Sequence, residues 1–206
     1  MISRFTPPHD LSPFKGYIFD CDGTLADTMP AHFYAWREAL REGGAAFEFT
    51  WEIFLSRAGM SMERTVKELS DQFDRALDAN FVSQRQRTLF HQLEKDIEPI
   101  DEVVQFARKM AKQFPIAVAS GSARPSVERT LKGIGAEGLF PIIVTPEDVD
   151  NGKPAPDMFL LAAKKMGVSP EKCLVLEDAE LGFEGARRAG MQYAVIASCP
   201  PAKEGS

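Results

Sequence analysis

The chain has 206 residues, of which 44% are hydrophobic and 26% are charged, and its formal net charge is −6. This length and composition are typical of a globular protein with one sizeable domain and room for an insertion. The acidic balance excludes a general nucleic-acid or anionic-membrane binder, because phosphate backbones and acidic lipid headgroups do not attract an acidic surface. We therefore expect neither nucleic acid nor a membrane as a partner.

The cysteines and the lack of targeting signals indicate the compartment. Cys21, Cys173 and Cys199 are odd in number and far apart, and no CxxC pair occurs. No segment resembles a signal peptide or a membrane span. The histidines are also scattered, which argues against a zinc site. These features predict a reduced, cytoplasmic protein, and a monomer is the default expectation.

A short strand and a long helical segment open the chain. Residues 16–19 form an apolar run that predicts a strand. Residues 28–97 are almost entirely helical in pattern, because apolar residues such as Phe33, Trp36 and Leu40 recur at spacings of three and four. We interpret residues 28–97 as a helical cap inserted into a core of residues 1–27 and 98–206.

Helices and apolar runs alternate in the rest of the chain. The patterns predict helices over 101–112, from Pro125 onward, over 156–166 up to the stop at Gly167, and up to the stop at Gly190. Apolar runs follow these helices at residues 116–119, 142–144, 173–176 and 193–197. This alternation predicts an α/β fold with a Rossmann-like, doubly wound parallel sheet covered by helices on both faces.

Chemically active side chains follow the predicted strands. In an open parallel sheet, ligands bind beyond the carboxyl ends of the strands. The residues expected there are Asp20, Asp22, Ser120, Gly121, Ser122, Lys153, Glu177 and Asp178. A single rim that carries acidic groups, a lysine and hydroxyls predicts a site for a metal ion and an anion.

The chemistry of these residue types points to phosphoryl transfer. Clustered carboxylates repel one another unless a hard cation is present, and an all-oxygen ligand set suits Mg²⁺. Lys153 and the turn at residues 120–122 can neutralise a phosphoryl group. Asp20 could then attack phosphorus, and Asp22, two residues further on, could donate a proton to the leaving oxygen.

Each motif by itself also has a structural explanation. Asp22 could belong to a simple turn, Lys153 to a solvated loop, and the acidic pair at 177–178 to a helix cap. Their joint occurrence at strand ends favours the functional interpretation. Residues 133–138 match G-x-G-x-x-G, but they follow a predicted helix and precede a strand, so we interpret them as a helix stop and a loop.

Four segments together carry a family resemblance. FDCDGTLADT, ASGS, GKPAPD and LEDAELG, in this order and spacing, resemble the four motifs of the haloacid dehalogenase superfamily. The helical insert after the first motif resembles the small cap of its β-phosphoglucomutase-like branch. The likeness extends from about residue 16 to residue 197. It implies the same α/β fold, a Mg²⁺ cofactor and a phosphorylated small molecule as substrate.

The resemblance also implies roles for the motif residues. Asp20 would be the nucleophile and a metal ligand, and Asp22 the general acid/base, which also binds the metal through its backbone carbonyl. Ser120 and Lys153 would bind the phosphoryl group. The acidic pair at 177–178 would complete the metal site. Because Asp22 is present, the resemblance implies a phosphotransferase rather than a dehalogenase.

Residues of the predicted cap are candidates for substrate recognition. His32 and Trp36, in AHFYAW, match positions that face the substrate cavity in β-phosphoglucomutases. Gly59 matches the sugar-phosphomutase segment, but Met62 stands where that segment has an arginine for a distal phosphate. Arg64, two residues later, is a candidate replacement. The departure at Met62 argues against a mutase, because a mutase must hold a second phosphate.

The resemblance extends to bacterial phosphatases of this branch that act on fructose 1-phosphate and 6-phosphogluconate. We therefore predict a Mg²⁺-dependent phosphatase that hydrolyses small phosphorylated sugars or sugar acids through a phosphorylated Asp20. A sugar phosphomutase and a non-catalytic metal- or phosphate-binding module are the alternatives. Asp27 has a different predicted role: with Thr28 and Pro30 it is expected to cap the first helix of the cap.

Overall fold

The computed structural model describes residues 3–94 and 97–200. At its centre is a five-stranded parallel sheet with the strand order β3-β2-β1-β4-β5. The strands are β1 (Gly16–Phe19), β2 (Ile116–Ala119), β3 (Ile142–Val144), β4 (Cys173–Glu177) and β5 (Gln192–Val195). Each predicted strand is present, and the predicted α/β fold is confirmed.

Helices flank the sheet and form the long insertion after β1. The insertion contains α1 (Met29–Glu42), α2 (Trp51–Leu55), α3 (Met62–Phe73) and α4 (Ala79–Leu93). The later helices are α5 (Asp101–Met110), α6 (Arg124–Gly133), α7 (Asp157–Met166) and α8 (Glu180–Arg188). Within the described residues, no helix combines the length and the apolar character needed to cross a membrane.

Side chains on the two faces of the sheet belong to two hydrophobic clusters. Tyr17 and Phe19 of β1 pack in one cluster with Phe106 of α5. Ile18 packs in the other with Phe159 of α7. Successive side chains of a strand point to opposite faces, and every residue of β1 and β2 is buried. Burial on both faces explains why these strands read as continuous apolar runs.

The helical segment before residue 94 encloses a third hydrophobic cluster. Phe33 and Trp36 of α1 pack there with Leu69 of α3 and Val82 of α4. The spacing of three and four residues places these apolar side chains of α1 on one face of the helix. A cluster of its own supports the division of the chain into a core and a cap, which stays a prediction.

Asp27 lies where the chain enters the helical segment, but it does not cap α1. Its Oδ2 lies 2.9 Å from Nη1 of Arg4. Thr28, at the N-cap position, makes no side-chain hydrogen bond to the helix. The prediction for Asp27 was therefore wrong, because Arg4, which precedes β1 in the chain, pairs with its carboxylate. Such a long-range contact is not visible in the local pattern of the sequence.

The glycine-rich stretch at residues 133–138 is a helix end and a loop, as predicted. Helix α6 ends at Gly133, and β3 begins only at Ile142. Gly135 and Gly138 have φ values of 67° and 73°, which suit a turning loop. A dinucleotide-binding stretch would instead join a strand to the start of a helix.

Candidate active site

The carboxyl ends of β1 and β4 bring acidic side chains together. In these paired strands Phe19 lies opposite Leu176. Asp20 follows Phe19 and Glu177 follows Leu176, so the two acidic residues are neighbours at the rim. Asp178 comes next along the chain. Oxygen atoms of Asp20, Glu177 and Asp178 lie within 4.8 Å of one another. The predicted acidic cluster is thus formed by neighbouring strands.

Lys153 lies between two of these carboxylates. Its Nζ is 2.6 Å from Oδ1 of Asp20 and 2.7 Å from Oε2 of Glu177. The side chains of all three residues are almost completely enclosed, with exposed fractions of 3%, 7% and 2%. Because water screens such charges poorly, one ammonium group strongly stabilises the two nearby carboxylates.

The pKa shifts at the rim follow from burial and excess negative charge. Burial, followed by the charge of Glu177, raises the pKa of Asp20 well above its ordinary value. The same two causes raise the pKa of Asp178 to about 7. Burial by itself would lower the pKa of Lys153. The carboxylates of Asp20 and Glu177 raise it by a larger amount, so the net shift is upward. The cluster therefore has too little positive charge for its carboxylates, and protons or a cation must supply the rest.

Asp22 is contacted from two sides. The Ser122 Oγ donates a hydrogen bond to its Oδ2 over 2.6 Å, and Nε2 of His32 lies 3.6 Å from its Oδ1. Burial raises the pKa of Asp22, but interactions with His32, Ser122 and Thr28 together more than offset that effect, and its net shift is downward. Ser120 is fully buried behind the turn, where its Oγ accepts a hydrogen bond from the Ser122 N–H over 3.1 Å.

Two glycines make room for the acidic side chains. Gly23 has a φ of +81°, and a Cβ on it would overlap Oδ2 of Asp178. A Cβ on Gly182, in the first turn of α8, would overlap the carboxyl carbon of Glu177. Gly182 was missed by sequence reasoning, although it ends the fourth motif. Its function in the site is to let a carboxylate pack directly against the helix backbone.

A cavity of about 780 Å³ lies over the acidic cluster. One wall is the strand-end rim, and the opposite wall comes from the helical segment before residue 94. The predicted site residues that line the cavity are Asp20, Asp22, His32, Trp36, Gly59, Gly121, Ser122, Lys153, Glu177 and Asp178. The tertiary structure thus places most of the predicted site residues around one space.

Arg64 lies elsewhere. It does not line the cavity, and its Nε is 2.9 Å from Oε1 of Glu68, with 54% of the Arg64 side chain exposed. The two residues are four apart on α3, a spacing that favours an ion pair on the helix surface. Met62 does line the cavity. The structure therefore contradicts the expectation that Arg64 replaces the arginine absent at Met62.

Several polar residues of the cavity belong to no motif. They are Arg57, Gln86, Arg87, Glu94 and Arg129. Arg129 and Glu94 form two hydrogen bonds of 3.1 Å that join α6 to the end of α4. Sequence reasoning missed these residues because they come from distant parts of the chain, namely the turn after α2, helix α4 with its C-terminal end, and α6, which meet only in the folded structure. Among these residues, only Gln86 could have been noticed in the sequence, because its polar side chain interrupts the apolar face of α4.

The donor set at the rim fits a divalent cation. Carboxylate oxygens are the ligands that hard cations prefer, and the raised pKa values of Asp20 and Asp178 reflect repulsion that a cation would relieve. A lysine beside this cluster and the cavity above it add the means to hold an anion. The fold and site are therefore those expected of an α/β enzyme whose strand-end rim can bind a divalent cation and an anionic substrate.

Comparison with known proteins identifies the family. The family model described as haloacid dehalogenase-like hydrolase matches residues 17–196. The chain therefore belongs to this family.

Characterised relatives and a solved structure agree with this assignment. The chain is 35% identical over 179 residues to a fructose-1-phosphate phosphatase of Escherichia coli (strain K12), with 86% of this chain and 94% of that protein covered. It is 29% identical to a phosphorylated carbohydrates phosphatase of Thermotoga maritima, with coverages of 89% and 86%. A crystal structure of a hydrolase from Pseudomonas syringae superposes with a TM-score of 0.78, at 29% identity and with coverages of 87% and 83%.

These findings confirm the predicted family, the fold class and the prediction of a phosphatase. Enzymes of this family generally use a divalent metal, and the cluster of Asp20, Glu177 and Asp178 can bind one.

Proposed function

We propose that this protein is a Mg²⁺-dependent phosphatase that hydrolyses phosphate esters of small sugars or sugar acids through a phosphorylated Asp20. The observation that carries the proposal is the 2.6 Å contact between Nζ of Lys153 and Oδ1 of Asp20. It occurs beside a carboxylate cluster and under a cavity of about 780 Å³. A nucleophile, a phosphate-binding cation and a metal site are thus available to one phosphoryl group.

The first half-reaction transfers the phosphoryl group to the protein. A carboxylate oxygen of Asp20 attacks phosphorus, and the bond between phosphorus and the sugar oxygen breaks. Asp22 donates a proton to that oxygen, which leaves as a hydroxyl. Lys153 orients Asp20 and, with Ser120 and the N–H groups of the 120–122 turn, offsets the negative charge of the phosphoryl oxygens.

The second half-reaction releases inorganic phosphate. A water molecule attacks phosphorus, Asp22 accepts its proton, and the bond between phosphorus and the Asp20 oxygen breaks. The carboxylate of Asp20 is then restored. Ser122 and His32 hold the two oxygens of Asp22, which has to act first as an acid and then as a base.

Asp20 and Asp178, with Glu177 beside them and the backbone carbonyl of Asp22, would hold the Mg²⁺. When bound, the cation screens the charge of the phosphate ester from that of the attacking carboxylate. The oxygen-only donor set and the upward pKa shifts of Asp20 and Asp178 support this assignment.

The sugar-type substrate is supported by relatives and by the cavity wall. The relatives named above are a fructose-1-phosphate phosphatase and a phosphorylated carbohydrates phosphatase. A volume of about 780 Å³ is ample for a small phosphorylated molecule. His32, Trp36 and Gly59 line the wall opposite the rim. We propose that these three residues belong to a cap of residues 28–97 and contact the sugar.

The cellular setting is also part of the proposal. Cys21, Cys173 and Cys199 are free thiols, as expected in a reducing compartment. We propose that the enzyme is cytoplasmic and works as a monomer. Measurement of its molecular mass in solution tests the monomeric state directly.

Phosphate release from a panel of sugar phosphates, with Mg²⁺ or with EDTA, tests the proposed function. We expect turnover of at least one sugar or sugar-acid phosphate that EDTA abolishes. Asp20→Asn should lower the rate by about four orders of magnitude or more, because the nucleophile is lost. Asp150→Asn, at an exposed loop position, is the matched control and should leave the rate unchanged. Retention of most activity in Asp20→Asn would eliminate the covalent mechanism.

A sugar phosphomutase is the alternative enzyme. Phosphorus NMR with β-glucose 1-phosphate and a trace of the bisphosphate separates the two, since a mutase forms glucose 6-phosphate and a phosphatase forms inorganic phosphate. The surface ion pair of Arg64 and the position of Met62 in the cavity favour the phosphatase. Absence of any chelator-sensitive hydrolysis of p-nitrophenyl phosphate would favour a non-catalytic binding module.

A further inference from the structure

A buried glutamine interrupts the apolar face of α4. Gln86 is fully buried, and Val82 and Phe90 lie on the same face one turn before and after it. Nε2 of its amide is 3.2 Å from Nδ1 of His32. Its Oε1 has no hydrogen-bond partner among the described residues. A buried polar atom without a partner lowers stability, so an amide at this position calls for a reason other than stability.

Helix α4 holds the ring of His32 in two ways. The ring stacks on Phe90, with centroids 3.8 Å apart and an interplanar angle of 4°. Its Nδ1 contacts the amide of Gln86. Gln86 and Phe90 are four residues apart and therefore adjacent on the helix surface. Stacking sets the plane of the ring, and the amide sets its rotation within that plane.

This orientation directs the opposite nitrogen of the ring toward Asp22. Nε2 of His32 lies 3.6 Å from Oδ1 of Asp22, while Ser122 contacts Oδ2 over 2.6 Å. One carboxylate oxygen is thus held from the strand-end rim and the other from the helical segment. The contacts form a continuous chain from Gln86 through His32 to Asp22.

We propose that Gln86 is a positioning residue: it orients His32, and through His32 it holds Asp22 in the direction from which Asp22 protonates the leaving oxygen. The inference rests on the proposed function. A residue with only a structural role should affect all substrates alike when it is replaced. A residue that positions the proton donor should matter most for leaving groups that need the proton.

Gln86→Met tests this difference, because methionine keeps the length of the side chain and removes the amide. The two substrates are phenyl phosphate and p-nitrophenyl phosphate, which place the same ring in the cavity but need the proton to different degrees. The measured quantity is kcat/KM, which covers only the steps up to departure of the leaving group. We expect a loss of about tenfold for phenyl phosphate and of less than about twofold for p-nitrophenyl phosphate. Gln84→Met, at an exposed position of α4, should leave both values unchanged.

His32→Ala provides the second arm of the experiment. By itself it should change the ratio of the two kcat/KM values by about the same factor as Gln86→Met. Adding Gln86→Met to His32→Ala should then have no further effect on the ratio, since the contact is already lost. An unchanged ratio in Gln86→Met, or a further change in the double variant, would overturn the inference. A wild-type protein that releases phosphate neither from these two esters nor from the panel of sugar phosphates would instead refute the proposed function.

Discussion

Replacing Lys153 tests the charge balance of the site. Lys153→Met leaves the carboxylates of Asp20 and Glu177, which lie 2.6 and 2.7 Å from Nζ in the wild type, without their counter-charge. Removing one partner of a buried ion pair destabilises a protein by about 3–5 kcal/mol. For a chain of this size, 1 kcal/mol corresponds to about 2–4 °C in Tm. We therefore expect Tm in EDTA to fall by roughly 6–20 °C.

Mg²⁺ should recover part of this loss, because it supplies positive charge to the same carboxylates. A ligand present at about 100 times its Kd stabilises the folded state by about 2.7 kcal/mol. Circular dichroism gives Tm in EDTA and in Mg²⁺ for the wild type, Lys153→Met and the exposed control Lys172→Met. The control should match the wild type. A Tm for Lys153→Met within about 2 °C of the wild type in EDTA would refute the reasoning.

Three further predictions concern the same rim. Gly182→Ala should lower the free energy of unfolding, measured in urea, by about 1–3 kcal/mol, because the new Cβ overlaps Glu177. The control Gly133→Ala has nothing within 4 Å of the new Cβ and should be neutral or slightly stabilising. Equal effects of the two substitutions would contradict the predicted overlap with Glu177. The folded, metal-free protein holds the Asp178 proton more tightly than the unfolded chain does, so the stability that Asp178 contributes is lost as the pH rises from 3.8 to about 7. The increase in Tm caused by Mg²⁺ should therefore grow over this window, and a constant increase would remove Asp178 from the cation site. Asp22→Asn should lower kcat/KM for sugar phosphates by about 10²–10⁴ and for p-nitrophenyl phosphate far less; equal losses would argue against Asp22 as the proton donor.

Much of the fold could be predicted because its signals are local. The strands are short apolar runs, since the central ones are buried on both faces. Gly167 and Gly190 mark helix ends and have φ values of 69° and 72°. The acidic cluster followed from a general rule, because parallel strands deliver the residues after them to one edge of the sheet.

The cap wall of the site could be predicted only in part. His32 and Trp36 were identified by resemblance, and they line the cavity. Arg64 was placed wrongly because the rotation of α3 about its axis, which a short motif does not reveal, keeps Arg64 off the cavity wall, where it pairs with Glu68 of the same helix. Asp27 was misassigned because its partner, Arg4, belongs to a segment with no recognisable pattern.

The sequence by itself therefore determined the parallel sheet, the helical insertion and the residue types at the strand ends, because hydrophobic periodicity and the alternation of strands and helices are visible over short stretches of the chain. Only the tertiary structure decided that Lys153 lies between Asp20 and Glu177 and that Gln86 meets His32. These contacts join residues far apart in the chain. Their geometry depends on how whole helices and strands pack, which no local pattern specifies.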